Sequence, residues 1–308
     1  MTIGTIKKWQ SHEGQVVASA KGFDVIECVQ CGFKHIISIP TKEELEKVYR
    51  DDFYTKEKPL YLERYLEDLE WWNIVYDRRY EILEQLLLTS QRKILDIGSG
   101  PGYFLLKGKN RGWSVKGVEP SVQASEYSKG LDLSLDIENI FYSEQSAANL
   151  GKFDAVNFGE VLEHLPNPAA TLKLAHNQLN IGGIACLIVP NDFNPFQLLL
   201  RDHMGFSPWW VGPPQHINYF NFSSLTTLLE SCGFKVIHQE STFPLEIFLL
   251  MGENYIGNDE VGRKCHSKRM IFEKKIIKAG GGKILNRLYT SLADQGLGRE
   301  VVIFAKKI

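Results

Sequence analysis

"ILDIGSGPGYF", residues 94–104, is an apolar run that closes on an aspartate and then passes through three glycines at alternating positions. Each glycine costs chain entropy on folding, so a turn holding three of them answers to a tight backbone or a close neighbour. "KILDIG" reads as a buried strand. "YFLLKGKNRG" fits a helix that begins inside the turn and stops at Gly112, with basic residues in its last turn. "SVKGVEP" is a second strand, ending in Glu119 and Pro120. Strand, helix and strand make one βαβ unit.

The same alternation continues outward. "FDAVNFG" (153–159), "GGIACLIVP" (182–190) and "FKVIHQES" (234–241) read as strands, with helical stretches at 167–179 and 223–231 between them. This pattern predicts an α/β fold, a doubly wound, mostly parallel sheet with helices on both faces. Upstream, apolar residues recur at threes and fours from Leu62 through Trp72, Tyr76 and Tyr80 to about Leu88, an amphipathic helix in one piece or two. The last strand, "REVVIFAKK" (299–307), follows the previous one after about 57 residues, too many for a bare loop. "HSKRMIFEKKIIKA" and "KILNRLYTSLA", separated by glycines 280–282, predict an inserted helical cap. The expected divisions are 1–58 as a small amino-terminal module, 59–90 as a linking helix, 91–242 as the ligand-binding domain, 243–297 as the cap and 298–308 as the final strand.

With 308 residues, 44% hydrophobic and 23% charged, the chain has enough apolar matter for a full core. A net charge of -2 disfavours a protein that lives by wrapping nucleic acid. No apolar run is long enough to span a bilayer and no secretory signal opens the chain, which predicts a cytoplasmic protein without membrane partners. Nothing in the sequence fixes an oligomeric state.

A strand, glycine turn and helix hold nucleotide-like ligands at the carboxyl edge of a parallel sheet. Dinucleotide sites use G-x-G-x-x-G, but the glycines here are 98, 100 and 102, and position 103 is Tyr. Asp96 would repel a pyrophosphate and attract an ammonium. S-adenosylmethionine carries an ammonium and a ribose diol, and Glu119 stands 23 positions on, at the end of the next strand, where that diol needs an acceptor.

D-x-G-x-G-x-G followed by that acidic residue resembles the class I S-adenosylmethionine-dependent methyltransferases over about residues 92–240 plus the last strand. "NFGEVLEHLPNP" (157–168) and "PQHINYF" (214–220) with "LLESCGF" are similar to segments of the branch that includes ubiquinone-biosynthesis and sugar methyltransferases. The resemblance implies a Rossmann-like, seven-stranded methyltransferase sheet. It implies S-adenosylmethionine as cofactor, with S-adenosylhomocysteine as product, held by Asp96, Gly98, Ser99, Gly100, Gly102, Tyr103, Glu119, Pro120, Gly159 and Glu160. The methionyl end would lie against the glycine backbone.

Methyl transfer from a sulfonium needs alignment, a dry site and a deprotonated nucleophile. His164, just past the fourth strand, and His216, beyond the fifth, are the candidate bases. Each also has a structural reading, His164 as a helix cap or packing residue and His216 as a shaper of a substrate lid. For the paired tryptophans packing is the more frequent fate: Trp71–Trp72 reads as packing, and Trp209–Trp210, flanked by prolines beside His216, reads as packing or as lining the site.

Cys28 and Cys31 have C-x-x-C spacing, with His35 four residues later and His12 sixteen earlier. Two thiolates and two imidazoles make a tetrahedral zinc set. Reduced thiols in a hairpin and a redox pair are the competing readings. The module resembles a small zinc-binding unit found on some sugar methyltransferases, with histidines in place of one cysteine pair.

From Arg263 to Arg287 there are nine Lys or Arg and one acid, Glu273. The run reads as a solvated helix face, or as a cap whose charge holds a diphosphate or carboxylate. Together with a carboxyl-terminal region resembling methyltransferases of polysaccharide gene clusters, it predicts a small-molecule acceptor, anionic or a nucleotide-linked sugar. An RNA or protein methyltransferase, an NAD-dependent oxidoreductase and a turnover-dead binding protein are the alternatives.

Overall fold

The computed structural model describes residues 4–57, 59–87, 92–132 and 134–308. Leu88, the expected end of the linking helix, and the expected divisions after residues 58 and 90 fall outside or at the edge of these segments. Among the described residues twelve strands form two sheets. The first four are β1 (Ile6–Trp9), β2 (His12–Ala20), β3 (Phe23–Cys28) and β4 (Lys34–Ile37), an antiparallel meander. Next come β5 (Lys93–Ile97), β6 (Ser114–Val118), β7 (Ile137–Glu138), β8 (Phe153–Gly159) and β9 (Leu179–Pro190). The last three are β10 (Asn218–Tyr219), β11 (Phe234–Ser241) and β12 (Glu300–Lys307).

The larger sheet runs β11-β12-β9-β8-β5-β6-β7. All its neighbours are parallel except β12, which lies antiparallel between β9 and β11. Alternate residues face opposite sides: Leu95, Ile97, Val156, Leu187 and Ile303 enter one buried cluster, and Ile94, Ala155, Cys186, Ile188 and Phe304 the other. Burial on both faces is why these strands are nearly continuous apolar runs, with no polar alternation. The helix Pro168–Gln178 starts on Asn167, whose side chain accepts from Ala170 N–H, with Pro168 at the first helical position.

β10 pairs with β4, so the amino-terminal meander and a two-residue strand from the segment between β9 and β11 share one five-stranded sheet. The linking region is two helices, Tyr61–Glu67 and Leu69–Leu86, broken at Asp68. The insertion forms helices Glu246–Leu250, Asp259–Lys278 and Gly282–Asp294.

It does not close over the ligand cleft. Arg263 pairs with Asp68 at 2.6 Å and Glu67 at 2.7 Å, Lys274 with Glu70 at 2.8 Å, and Lys268 with Glu253 at 2.5 Å. Trp71 Nε1 donates to the buried Glu273 carboxylate. Arg263 and Lys274 of the basic run thus brace the insertion against the linking helices.

The three glycines of the opening turn all have positive φ, 71°, 52° and 86° at 98, 100 and 102. A Cβ at Gly98 would stand 2.7 Å from Val161 Cγ2. The backbone conformation alone therefore demands glycine there, before any ligand is considered. Gly98→Ala is expected to cost about 2 kcal/mol of stability, read as a lowered Tm; an unchanged Tm would mean the turn relaxes freely.

Candidate active site

The sheet's chain order reverses between β5 and β8: strands after β5 add on one side and β8 and β9 on the other. Ligands of open α/β sheets sit at that point, beyond the carboxyl ends of the strands. A cleft of about 860 Å³ opens there. Asp96, Gly98, Ser99, Gly100, Tyr103, Glu119, Pro120, Gly159, Glu160 and His164 all line it. Gly102 does not; it serves the turn as the residue before the helix Tyr103–Asn110. His216 is also outside the lining, with its ring edge-on to His164 at 5.0 Å between centroids.

Asp96 lies opposite Asn157 in the β5–β8 ladder, and Asn157 Nδ2 donates to Asp96 Oδ1 at 2.7 Å. Glu119 accepts on one oxygen from Gly100 N–H (2.8 Å) and on the other from Ser121 N–H (2.9 Å). Each oxygen keeps a lone pair, the bidentate acceptor a vicinal diol requires. Burial pushes Asp96 up to about 7 against the opposing Asn157 bond, and burial likewise pushes Glu119 up to about 7. Glu160 is raised to about 7 by burial and then by the neighbouring Glu300 carboxylate. Its φ of 56° is an unfavourable conformation for a non-glycine residue, held at the rim of the cleft.

An ammonium at Asp96 would bind the ionised form, so binding there would lower that carboxyl's pKa. Affinity is then complete above about pH 7 and falls by up to about tenfold per pH unit below it. Calorimetry with S-adenosylhomocysteine at pH 8, 7 and 6 measures this, and a flat profile would detach Asp96 from the ammonium.

His164 sits on the short turn Leu162–His164 after β8. Its Nδ1–H donates to Gln215 O at 2.8 Å, which places the lone pair on Nε2. Tyr49 lies 5.5 Å away, ring to ring.

Several cleft residues carried no motif. Leu45, Tyr49, Phe53 and Tyr54, from the helix Lys42–Lys47 and the π-helical turns Val48–Glu57, cover the cleft. Tyr61, Tyr65, Trp72, Tyr76 and Arg79, from the linking helices, form its far wall. Trp72 stacks between Tyr65 and Tyr76, and Trp209–Trp210 line nothing in this cleft: Trp210 packs with Phe193 in the core beside the meander. Of the four tryptophans, Trp72 is thus the one that lines the cleft. Aromatic residues at helical spacing look alike whether they face a core or a ligand. Arg79 is 7% exposed, and among the described residues it is the one Lys or Arg side chain lining the cleft.

His12, Cys28, Cys31 and His35 come together at one end of the meander, their ligand atoms all within 4.8 Å of one another. Cys31 Sγ and Cys28 Sγ stand 3.3 Å and 3.6 Å from His12 Nδ1. Tetrahedral zinc sets such spacings at about 3.3–3.8 Å. His35 Nδ1–H donates to Ile36 O, and its buried Nε2 lone pair has no hydrogen-bond partner. The four residues fit a metal ion.

An acid-flanked glycine turn at the switch point of a seven-stranded sheet, with one reversed strand next to its edge, defines the class I S-adenosylmethionine-dependent methyltransferases. Residues 72–239 match the family model described as a methyltransferase domain. The chain belongs to this family. Ubiquinone biosynthesis O-methyltransferase of Pseudomonas aeruginosa is 31% identical over 96 residues, 30% of this chain and 41% of that protein. The enzyme of the same name from Psychrobacter cryohalolentis is 31% identical over 110 residues, 34% of this chain and 42% of that one. The chain therefore spans less than half the length of these curated relatives. Among solved structures, magnesium protoporphyrin IX methyltransferase from Synechocystis PCC 6803, with bound S-adenosylhomocysteine, superposes with a TM-score of 0.52. It is 11% identical, over 87% of this chain and all of that one, and supports the fold. No helix among the described residues is long and apolar enough to cross a membrane.

Proposed function

We propose that the protein transfers a methyl group from S-adenosylmethionine to a hydroxyl oxygen of a small neutral acceptor, a sugar in first place. The observation that carries the cofactor half is the pair Asp96 and Glu119 on the cleft floor, one aimed at an ammonium and the other at a diol. When bound, the cofactor supplies the methyl group on a cationic sulfur. Arg79, buried at the same end of the cleft, takes the carboxylate of the methionyl group. The aromatic cover excludes water. His164 accepts the acceptor's hydroxyl proton at Nε2, while Gln215 O fixes its tautomer.

Oxygen as the accepting atom agrees with the O-methyltransferases that match the sequence. The cleft carries the acids Glu46, Asp96, Glu119, Glu160 and Glu300 against Arg79. That balance suits a hydroxyl-rich neutral acceptor better than a free diphosphate or carboxylate. The nucleotide-linked sugar remains compatible where its diphosphate stays outside the cleft. An RNA or protein acceptor has no basic track at the cleft in its favour among the described residues. Incubation with methyl-labelled cofactor and separate panels of free sugars, nucleotide-linked sugars, phenols and RNA, read by mass spectrometry, decides among these. Label found only in RNA would overturn the small-molecule reading.

The His12, Cys28, Cys31 and His35 set is read as a structural zinc centre. Catalytic zinc is disfavoured because none of the four lines the cleft. Metal analysis of the purified protein is expected to give one zinc per chain, lost in Cys28→Ser; equal content in both would remove the site.

A further inference from the structure

The metal-binding cluster and the candidate base stand on opposite sides of one short segment, residues 215–219. On one side β10 pairs with β4, Asn218 opposite His35, and Ile36 N–H donates to Ile217 O at 2.9 Å. On the other side the segment holds the turn after β8. Ile217 N–H donates to Glu163 O at 2.8 Å. Asn218 Nδ2 donates to Leu162 O at 2.9 Å and Leu165 O at 2.7 Å. His164 itself donates to Gln215 O. Asn218, 1% exposed, thus spends both amide hydrogens on the carbonyls that bracket Glu163 and His164.

The segment's position depends on β4, which is only four residues long. Beside the cluster Val16, Ile26 and Cys28 form a small buried group of their own, while Phe33 packs into the main core and Ile36 packs with Ile217 and Tyr219. An ion bonded to His12, Cys28, Cys31 and His35 would tie β2, β4 and the turn after β3 together at the end where this group is small. Asp96 and Glu119, in contrast, are fixed by Asn157 and by backbone N–H groups of the glycine turn and Ser121. None of those bonds passes through the meander.

We propose that a metal ion held by His12, Cys28, Cys31 and His35 positions the His164 imidazole through β4 and β10, with Asn218 as the positioning residue. The inference rests on reading the cluster as a metal centre. Loss of the ion frees the turn 162–165 and leaves the cofactor carboxylates in place. Such coupling is reciprocal: loosening the turn also loosens the ion.

The test uses the full chain loaded with Zn²⁺ or with Co²⁺, whose thiolate absorption reports occupancy. Stripping the metal is expected to speed hydrogen exchange at least tenfold in peptides covering 160–167 and 213–220. It should also shift the His164 signal in ¹⁵N-histidine spectra, assigned with His164→Asn, while S-adenosylhomocysteine affinity stays within twofold. Asn218→Ala and Asn218→Asp, which leave all four metal ligands in place, should each release zinc to a chelator at least tenfold faster than wild type. The exposed Ser291→Ala serves as the unaltered control. If the Asn218 variants fail to fold, the stripped wild-type protein still gives the exchange and ¹⁵N readouts. Metal bound at unit stoichiometry with unchanged exchange in both peptides, or wild-type zinc release from a folded Asn218 variant, overturns the coupling alone. A protein that takes up neither ion overturns the centre and the coupling together.

Discussion

Glu119→Ala is expected to weaken S-adenosylmethionine binding by about a hundredfold, equivalent to about 3 kcal/mol. Two hydrogen bonds from ribose hydroxyls to a carboxylate contribute about 1.5 kcal/mol or more each when the partners are shielded from water. The same side chain also organises the turn, since Gly100 N–H and Ser121 N–H both end on it. Alanine leaves those two donors without their acceptor. Glu119→Gln, which keeps one acceptor oxygen and the side-chain volume, should lose less. Calorimetry gives the comparison, with NAD as a negative control expected to show no heat of binding. Wild-type affinity in the alanine variant would mean that the diol is held elsewhere.

His164→Ala is expected to lower kcat by 10²–10⁴, about 3–5 kcal/mol in barrier, on the acceptor that the labelling experiment returns. Cofactor affinity should stay unchanged, because Asp96 and Glu119 do not touch His164. A loss shared equally between kcat and cofactor affinity would instead mark the histidine as a prop for the turn 162–165. His216→Ala is the informative partner. Its ring lies behind His164, so its effect should be smaller and carried through the orientation of that ring.

Much of this site is written locally in the chain. Asp96, the glycines and Glu119 lie within one βαβ unit, where strand, turn and helix lengths leave little freedom for where the two carboxylates end up. His164 follows a strand end in the same way. The four metal-type residues were visible as a spacing, though their meeting depends on how β2, β3 and β4 pair. Other parts had no local signal. The direction of β12 is invisible in "REVVIFAKK", because an apolar run reads alike either way. β7 and β10, two residues each, are too short for any period. Whether the basic run at 263–287 is a solvated face or a cleft cap is not legible locally, because the partners of Arg263 and Lys274, namely Glu67, Asp68 and Glu70, lie some two hundred residues earlier. Arg79 and the tyrosines of the cleft wall sit on helices whose amphipathic pattern gives a buried face without saying that part of it borders a cavity.

The cover built from Leu45, Tyr49, Phe53 and Tyr54 has a kinetic consequence. Tyr54 reaches over the glycine turn: its hydroxyl lies 3.3 Å from where a Cβ on Gly100 would stand. In the proposed cycle a spent nucleoside would lie beneath that tyrosine and would leave as the arm swings aside. Such a cover would make departure of product the throttle on turnover, and substitutions that slacken residues 48–57 are expected to quicken the cycle while eroding its dryness.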